Sequence, residues 1–161
     1  MGRRTISMVT EPFAYPGATF QPVLSSKCID CEYFNACIGA LRPLVRYKVV
    51  ALRNHFNQCP ALAEKMRVVE VEEQPFNVVL SARLAFPGAT VRYSKPQCSE
   101  EVKGKYRVEC DPIYVEEGER VKVLRRLAKV DSQLFLCEVE ATEQPSPRLW
   151  LLAKRFLLKR S

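Results

Sequence analysis

Apolar and polar residues alternate along several short segments of this 161-residue chain, and this pattern predicts half-exposed β-strands. In the sequence RVVEVE at 67–72, Val69 and Val71 share one face, whereas the two glutamates lie on the other. Strands are predicted in this way at 46–53, 66–71, 120–127 and 134–139, and residues 76–82 are expected to extend the sheet. The predicted fold class is therefore mainly β (α+β).

Short sequence matches recur along the chain at an offset of about 70 residues, which indicates a duplicated unit. The matches are FAYPGAT at 13–19 with LAFPGAT at 84–90, RYKV at 46–49 with RVKV at 120–123, VEVE at 69–72 with CEVE at 137–140, and QP at 74–75 with QP at 144–145. Each copy opens with a Pro-Gly pair that suits a type II turn. We therefore predict two small related sheets or barrels, with a first β unit at 1–78 carrying a four-cysteine metal site, a second β unit at 79–146 carrying a degenerate cysteine site, and a basic C-terminal tail at 147–161.

The tail is predicted to be helical, because residues 148–159 contain no Gly or Pro and are rich in Leu, Lys and Arg. A short strand at 149–152 is the competing prediction. On a helix, apolar and basic side chains would lie on different sides. The apolar side would hold Leu149, Leu152, Ala153 and Phe156, and the basic side Arg148, Arg155 and Lys159.

The formal charge of +7 is concentrated at the C-terminal end, because no acidic residue follows Glu143. Five basic residues of the tail account for most of it: Arg148, Lys154, Arg155, Lys159 and Arg160. A cationic segment of this kind favours a polyanionic partner such as RNA, and the alternative is a solvated, solubilising end.

The composition predicts a cytoplasmic protein with no membrane segment. No apolar leader follows Met1, and the longest strictly apolar stretch, at 149–153, is far too short to cross a bilayer. Seven cysteines in an intracellular protein favour metal binding over disulfides. The scarcity of Asn and His beside abundant Lys, Arg and Glu is typical of thermophiles, in which intracellular disulfides also occur.

The densest candidate chemistry is a set of four cysteines with the spacing C-x2-C-x5-C, closed later by Cys-Pro. They are Cys28, Cys31, Cys37 and Cys59. Four thiolates suit Zn or a [4Fe–4S] cluster. Zinc ribbons usually have two C-x2-C pairs, so this three-plus-one arrangement favours the iron–sulfur cluster. Zn, disulfides and free thiols remain the alternatives.

The other candidate ligands are weaker. His55 is either a ligand, a neighbour of the ligands or a partly exposed polar residue, and the last interpretation is favoured. The repeat aligns Cys98 and Cys110 with two ligands of the first unit, which leaves an incomplete second site. These two cysteines can form a disulfide only if their Cα atoms lie within about 7 Å. Cys137 falls on a predicted strand and is expected to be a small buried residue.

These motifs together resemble an archaeal group, uncharacterised protein family 0179, over about residues 9–123. The resemblance implies an unassigned function, two cysteine clusters of the iron–sulfur type, and Cys28, Cys31, Cys37 and Cys59 as ligands of the first cluster. The chain departs from the family pattern in two places. Leu62 stands where a histidine is common, and the second cluster keeps only Cys98 and Cys110. Electron transfer between two clusters is therefore not expected here.

Two functions compete. The first is a metal-stabilised β protein that binds structured RNA or a ribonucleoprotein, as a ribosome-associated protein does. It rests on the basic tail and on interleaved aromatic and basic residues that could otherwise pack in the core: Tyr33, Phe34, Arg46, Tyr47, Arg53 and Phe56. The alternative is an iron–sulfur redox protein or accessory subunit with a redox partner protein. A self-contained enzyme is not expected, because no nucleophile–base set, phosphate loop or paired-carboxylate motif is present.

Overall fold

The computed structural model describes residues 2–24, 27–28 and 30–157, and it divides the chain into two compact units. The first unit combines Met1–Gln74 with Pro145–Ser161, and the second is Pro75–Gln144. The division thus falls at Gln74 and Gln144, where the sequence predicts 78 and 146, and the C-terminal tail joins the first unit. Within the described residues, no helix is long and apolar enough to cross a membrane.

The first unit is built on a four-stranded antiparallel sheet in the order β1-β4-β3-β2. Its strands are β1 (Arg4–Thr10), β2 (Thr19–Phe20), β3 (Tyr47–Cys59) and β4 (Glu64–Glu73). Alternating side chains of β3 and β4 form the core, with Val49, Val69 and Val71 fully buried. The predicted strands are confirmed, although β3 continues six residues beyond its predicted end at 53.

The second unit repeats this topology, with the order β5-β8-β7-β6. Its elements are β5 (Phe76–Ser81), β6 (Thr90–Arg92), α1 (Glu100–Lys105), α2 (Arg107–Cys110), β7 (Arg120–Lys129) and β8 (Leu134–Ala141). The predicted strand at 76–82 therefore belongs to this second sheet, where it pairs with β8. The strand has a continuous apolar run because both of its faces are covered. Val79 packs in a cluster with Val102 of α1 and Cys110 of α2, and Val78 and Leu80, on the opposite face, are also buried.

The two Pro-Gly turns are equivalent in detail. Gly17 and Gly88 have φ values of +95° and +88°, in the region that a type II turn requires at this position and that glycine adopts without strain. The Gly17 N–H donates to the carbonyl of Val49 (2.8 Å), and the Gly88 N–H donates to the carbonyl of Val123 (2.7 Å). Both turns thus attach to the same position of a long strand.

A β-bulge at the same position of each unit supports the duplication. In the first sheet Val49 pairs with Val71, and the next partners are Ala51 and Glu70, so residue 50 is extra. In the second sheet Val123 pairs with Val139, and residue 124 is extra in the same way. The mainly β fold with two related units, predicted from the sequence repeat, is therefore confirmed.

The C-terminal helix, α3 (Arg148–Leu157), packs on the first unit through a face that the sequence only partly predicts. Leu149 and Ala153 are buried as expected, but Leu152 is 51% exposed and does not pack on the β core. Trp150 takes its place at 1% exposure, because its indole N–H reaches the carbonyl of Leu41 (2.8 Å). The side chain of Phe156 lies outside the described residues, and the alternative strand at 149–152 is not formed.

Candidate metal centre

Three of the four predicted ligands lie on consecutive tight turns of the backbone. The N–H of Cys31 donates to the carbonyl of Cys28, that of Phe34 to Cys31, and that of Cys37 to Phe34, at 3.1–3.2 Å. Each bond spans three residues, as in a 3-10 helix. Gly39 closes the loop, since a Cβ there would lie 2.7 Å from the Phe34 carbonyl oxygen. The spacing of the cysteines is thus matched to successive turns of one compact loop.

All four cysteines line one small cavity. Cys59 reaches it from the end of β3, and Met8 of β1 and Met66 of β4 form part of the apolar wall. The cavity measures about 30 Å3. Four thiols around one small cavity are a donor set for either a single metal ion or an iron–sulfur cluster.

Backbone amides point at two of the sulfur atoms. The N–H of Tyr33 donates to Sγ of Cys31, and the N–H of Leu62 donates to Sγ of Cys59, both at 3.4 Å. The turns that position these two cysteines therefore also supply hydrogen-bond donors to their sulfur atoms.

The thiol of Cys37 is partly buried and lies near the other three cysteines. Burial raises the pKa of its thiol to about 12, the Ile38 amide opposes this shift, and Cys28, Cys59 and Cys31 raise the pKa further. All three other cysteines are therefore close enough to act on Cys37. A cation entering the cavity would offset both causes, because it compensates for lost hydration and for repulsion among thiolates.

Among the described residues, neither the arrangement of the candidate side chains nor the position of His55 amounts to a preformed metal site. In residues 2–24, 27–28 and 30–157, no group of three or more His, Cys, Asp or Glu side chains is already arranged to hold a metal ion. His55 is exposed on β3 and does not line the cysteine cavity. The structure thus brings the four thiols around one cavity and leaves the histidine outside it.

A buried ion pair joins the end of β4 to the segment that follows the cysteine loop, the loop that carries Cys28, Cys31 and Cys37. The guanidinium of Arg42, fully buried, donates from Nε to the carboxylate of Glu73 at 3.1 and 3.2 Å. The hydroxyl of Tyr47 donates to the same carboxylate (2.9 Å) and accepts from the N–H of Arg42 (2.8 Å). Burial and the nearby Glu73 carboxylate raise the pKa of Tyr47 well above its ordinary value, so its proton stays in this network.

In the second unit, the two cysteines that the repeat aligns with Cys28 and Cys37 form a disulfide. Cys98 and Cys110 are bonded to each other, with their Cα atoms 6.4 Å apart, within the limit derived from the sequence. Cys110 ends α2, and both cysteines belong to the cluster that packs α1 and α2 against β5. Cys137, fully buried in β8, packs as a small apolar residue.

The predicted RNA-binding residues separate into exposed, buried and undescribed groups. Arg148, Lys154 and Arg155 are exposed on α3, whereas Lys159 and Arg160 lie outside the described residues. Of the aromatic residues, Tyr47 is fully buried, and Tyr33 and Phe34 line the cysteine cavity. Phe56 is exposed on β3.

Sequence reasoning missed two residues that lie against Phe56. Lys65 Nζ is 4.2 Å from the centroid of the Phe56 ring, and the Arg67 guanidinium carbon is 5.3 Å from it. Both are on β4, and Arg67 is the direct cross-strand partner of Phe56. Alternation along β4 puts both cations on one face, so a predicted strand register would have revealed them.

Comparison with known proteins supports one family and gives no activity. The model of an uncharacterised protein family, UPF0179, matches residues 5–143. A UPF0179 protein of Pyrococcus horikoshii is 34% identical over 127 residues, covering 78% of this chain and 87% of the relative. A UPF0179 protein of Thermococcus onnurineus is 33% identical, covering 81% and 87%. One from Methanothermobacter thermautotrophicus is 30% identical, covering 80% and 87%. No solved structure matches the chain.

Proposed function

The chain belongs to the uncharacterised protein family UPF0179, and we propose that it is a cytoplasmic, metal-stabilised β protein that binds structured RNA. The four cysteines of the first unit, Cys28, Cys31, Cys37 and Cys59, hold the metal as thiolates. The RNA is bound by exposed cations of the same unit. The observation that carries the proposal is the convergence of four thiols, from one loop and one strand end, on a single cavity.

The donor set is that of a tetrathiolate centre. Four sulfur ligands suit either Zn or a [4Fe–4S] cluster, and both groups stabilise the fold that holds them. The three-plus-one spacing ending in Cys59-Pro60 favours the cluster, and Zn is the alternative. In either case the metal would join the cysteine loop to the end of β3, which the backbone alone connects only through a long path.

The surface charge supports a polyanionic partner. Exposed cations lie on two elements of the first unit: Arg53 and Lys65 on the β3–β4 hairpin, and Lys154 and Arg155 on α3. The overall formal charge is +7. Phosphates neutralised by such residues release counterions, which makes binding strong at low salt and weak at high salt.

A redox function is the second candidate, and the exposure of the thiols favours it. All four cysteines are only partly buried, so a cluster held there would lie near the surface. A neighbouring apolar pocket of about 390 Å3 shares Cys28, Cys37 and Cys59 and is edged by the exposed side chains of Val23 and Leu62. A redox partner protein could approach the metal there.

Anaerobic purification followed by metal and sulfide analysis and an absorption spectrum tests the metal centre. A cluster gives a brown protein with about four iron and four sulfide per chain, and Zn gives a colourless protein with about one metal per chain. Cys31→Ser should release most of the metal, whereas the control Cys137→Ala should retain it. A chain that holds no metal, or that loses it equally in both variants, would contradict the assignment.

Filter binding to a structured RNA across a salt series tests the partner. We expect the affinity to fall steeply as salt rises, with a linear dependence of log Kd on log salt. A protein that carries a cluster, is reversibly bleached by dithionite and binds no RNA at low salt would favour the redox function instead.

A further inference from the structure

Strand β3 carries a second bulge, and this one differs between the units. Leu52 pairs with Val69, and Phe56 pairs with Arg67, so three residues of β3 lie opposite a single residue of β4. The second unit inserts only one residue at the corresponding place in β7. A bulge redirects side chains, and such features are often found beside functional sites.

The bulge breaks the alternation of buried and exposed residues. Four consecutive side chains, 53–56, are all exposed, in the order Arg, Asn, His and Phe. Phe56 has 40% of its surface accessible, although an aromatic ring gains free energy by burial. The first unit therefore holds a large aromatic side chain at its surface, within a run of polar residues.

Cations surround this ring and close the bulge. Lys65 Nζ and the Arg67 guanidinium lie against the ring, at 4.2 and 5.3 Å from its centroid. The Nε of Arg67 also donates to the carbonyl of Arg53 (3.1 Å), which fixes the backbone on the far side of the bulge. Glu70 lies 3.8 Å from the Arg53 guanidinium and offsets one of the three positive charges of Arg53, Lys65 and Arg67.

We propose that Phe56, flanked by Lys65, Arg67 and Arg53, is a stacking site for an unpaired nucleotide. The base lies on the Phe56 ring, and the adjoining phosphates contact the cations. The inference rests on the proposed RNA-binding function and names the feature of the RNA that this surface selects: a single-stranded segment, whose bases are free to stack.

A base can replace the Lys65 ammonium over the Phe56 ring, because base stacking is the stronger of the two contacts with the ring. A cation over an exposed ring contributes less than a base stacked on an aromatic side chain. A nucleotide that displaces the Lys65 ammonium from the ring also provides it with a phosphate. The ring gains a base and the ammonium gains an anion.

Fluorescence anisotropy on the full chain, purified anaerobically with its metal, tests this site. The probes are a labelled oligo-uridine strand, a labelled RNA duplex and a DNA strand of the same length. Phe56→Leu keeps apolar volume and removes the aromatic face, so the Kd for the single strand should rise about 5- to 100-fold. The Kd for the duplex should stay unchanged. Phe56→Tyr should bind the single strand like the wild type.

Matched variants separate stacking from charge. Tyr15→Leu removes another exposed aromatic of the same unit, 56% accessible, and should have no effect. Lys65→Gln should flatten the slope of log Kd against log salt by about one. Phe56→Trp should show fluorescence quenched by the single strand and not by the duplex, because Trp150, the other tryptophan of that variant, is buried. Equal losses on RNA and DNA strands would support recognition of the base alone.

Two results would overturn the proposal in different ways. If the wild type binds RNA with a steep salt dependence and Phe56→Leu binds the single strand equally well, the stacking site is wrong and the proposed function stands. If the wild type binds none of the probes at low salt, both the stacking site and the RNA-binding function are wrong.

Discussion

The indole N–H of Trp150 donates to the backbone carbonyl of Leu41 at 2.8 Å, across 109 positions of the sequence. Trp150 is the third residue of α3, and Leu41 lies four residues after Cys37. Both groups are buried, so the bond is shielded from water. The C-terminal helix and the cysteine loop therefore pack as one body within the first unit.

Replacing Trp150 should destabilise this body. Trp150→Phe keeps an aromatic ring and removes the N–H donor, which leaves the buried Leu41 carbonyl without this hydrogen bond. We expect the free energy of unfolding to fall by about 1–3 kcal/mol, measured by urea denaturation of the metal-loaded protein. Leu151→Ala, at a neighbouring site that is 58% exposed, is the control and should change it by less than about 0.5 kcal/mol. Equal stability of the two variants would argue against the bond.

The buried pair Arg42–Glu73 gives a second stability prediction. Glu73→Gln keeps the shape and an acceptor for Tyr47 but removes the charge that compensates Arg42, which is fully buried. A cost of about 3–5 kcal/mol is typical of a buried ion pair that loses one partner. Glu72→Gln is the matched control, because its ion-pair partner Arg4 is exposed to solvent, and such a surface pair is worth at most about 1 kcal/mol. Denaturant unfolding measures the loss of unfolding free energy in both variants. A similar loss in each would contradict the role of Glu73.

The disulfide of the second unit should stabilise it independently of the metal. Cys98→Ser should lower the free energy of unfolding by about 3 kcal/mol, since the bond closes a short loop in the unfolded chain. The metal content should be unchanged, because the ligands belong to the first unit. Thermal melts with and without reductant check this: reductant should lower the Tm of the wild type and leave that of Cys98→Ser in place. A loss of metal from Cys98→Ser would show that this cysteine is a ligand.

The sequence predicts what depends on local pattern. The alternation around Val69 and Val71 predicts a strand because a half-buried sheet needs that period, and the Pro-Gly pairs predict turns because the φ of Gly17 is accessible to few other residues. The spacing of Cys28, Cys31 and Cys37 predicts ligands that share one loop. Each of these inferences involves residues that are close in the sequence.

Features that depend on tertiary contacts could not be predicted in this way. The buried face of α3 is displaced from the predicted one because Trp150 finds a carbonyl acceptor 109 positions away, while Leu152 finds no place in the core. The two residues inserted before Phe56 are invisible to a strand pattern, since the register of β3 against β4 is set by the whole hairpin. These contacts decide which aromatic residue is exposed and which helix face is free.

The exposed charges of α3 give the last prediction. Truncation after Pro147 would remove Trp150 and disturb the cysteine loop, so substitutions test the charges more cleanly than deletion does. Lys154→Gln with Arg155→Gln removes two exposed cations and leaves the buried residues Leu149, Trp150 and Ala153 in place. Each lost phosphate contact should flatten the slope of log Kd against log salt by about one, so the pair should flatten it by about two for structured RNA.

The matched control removes the same charge elsewhere. Lys103→Gln with Lys105→Gln neutralises two exposed cations of α1 in the second unit and should leave the slope nearly unchanged. Metal content should be the same in both double variants, because neither touches the cysteine loop or Trp150. If the two pairs flatten the slope equally, net charge alone governs binding. If neither changes it, α3 does not contact the RNA, and its exposed leucines, Leu151 and Leu152, would then mark it as a surface for a protein partner.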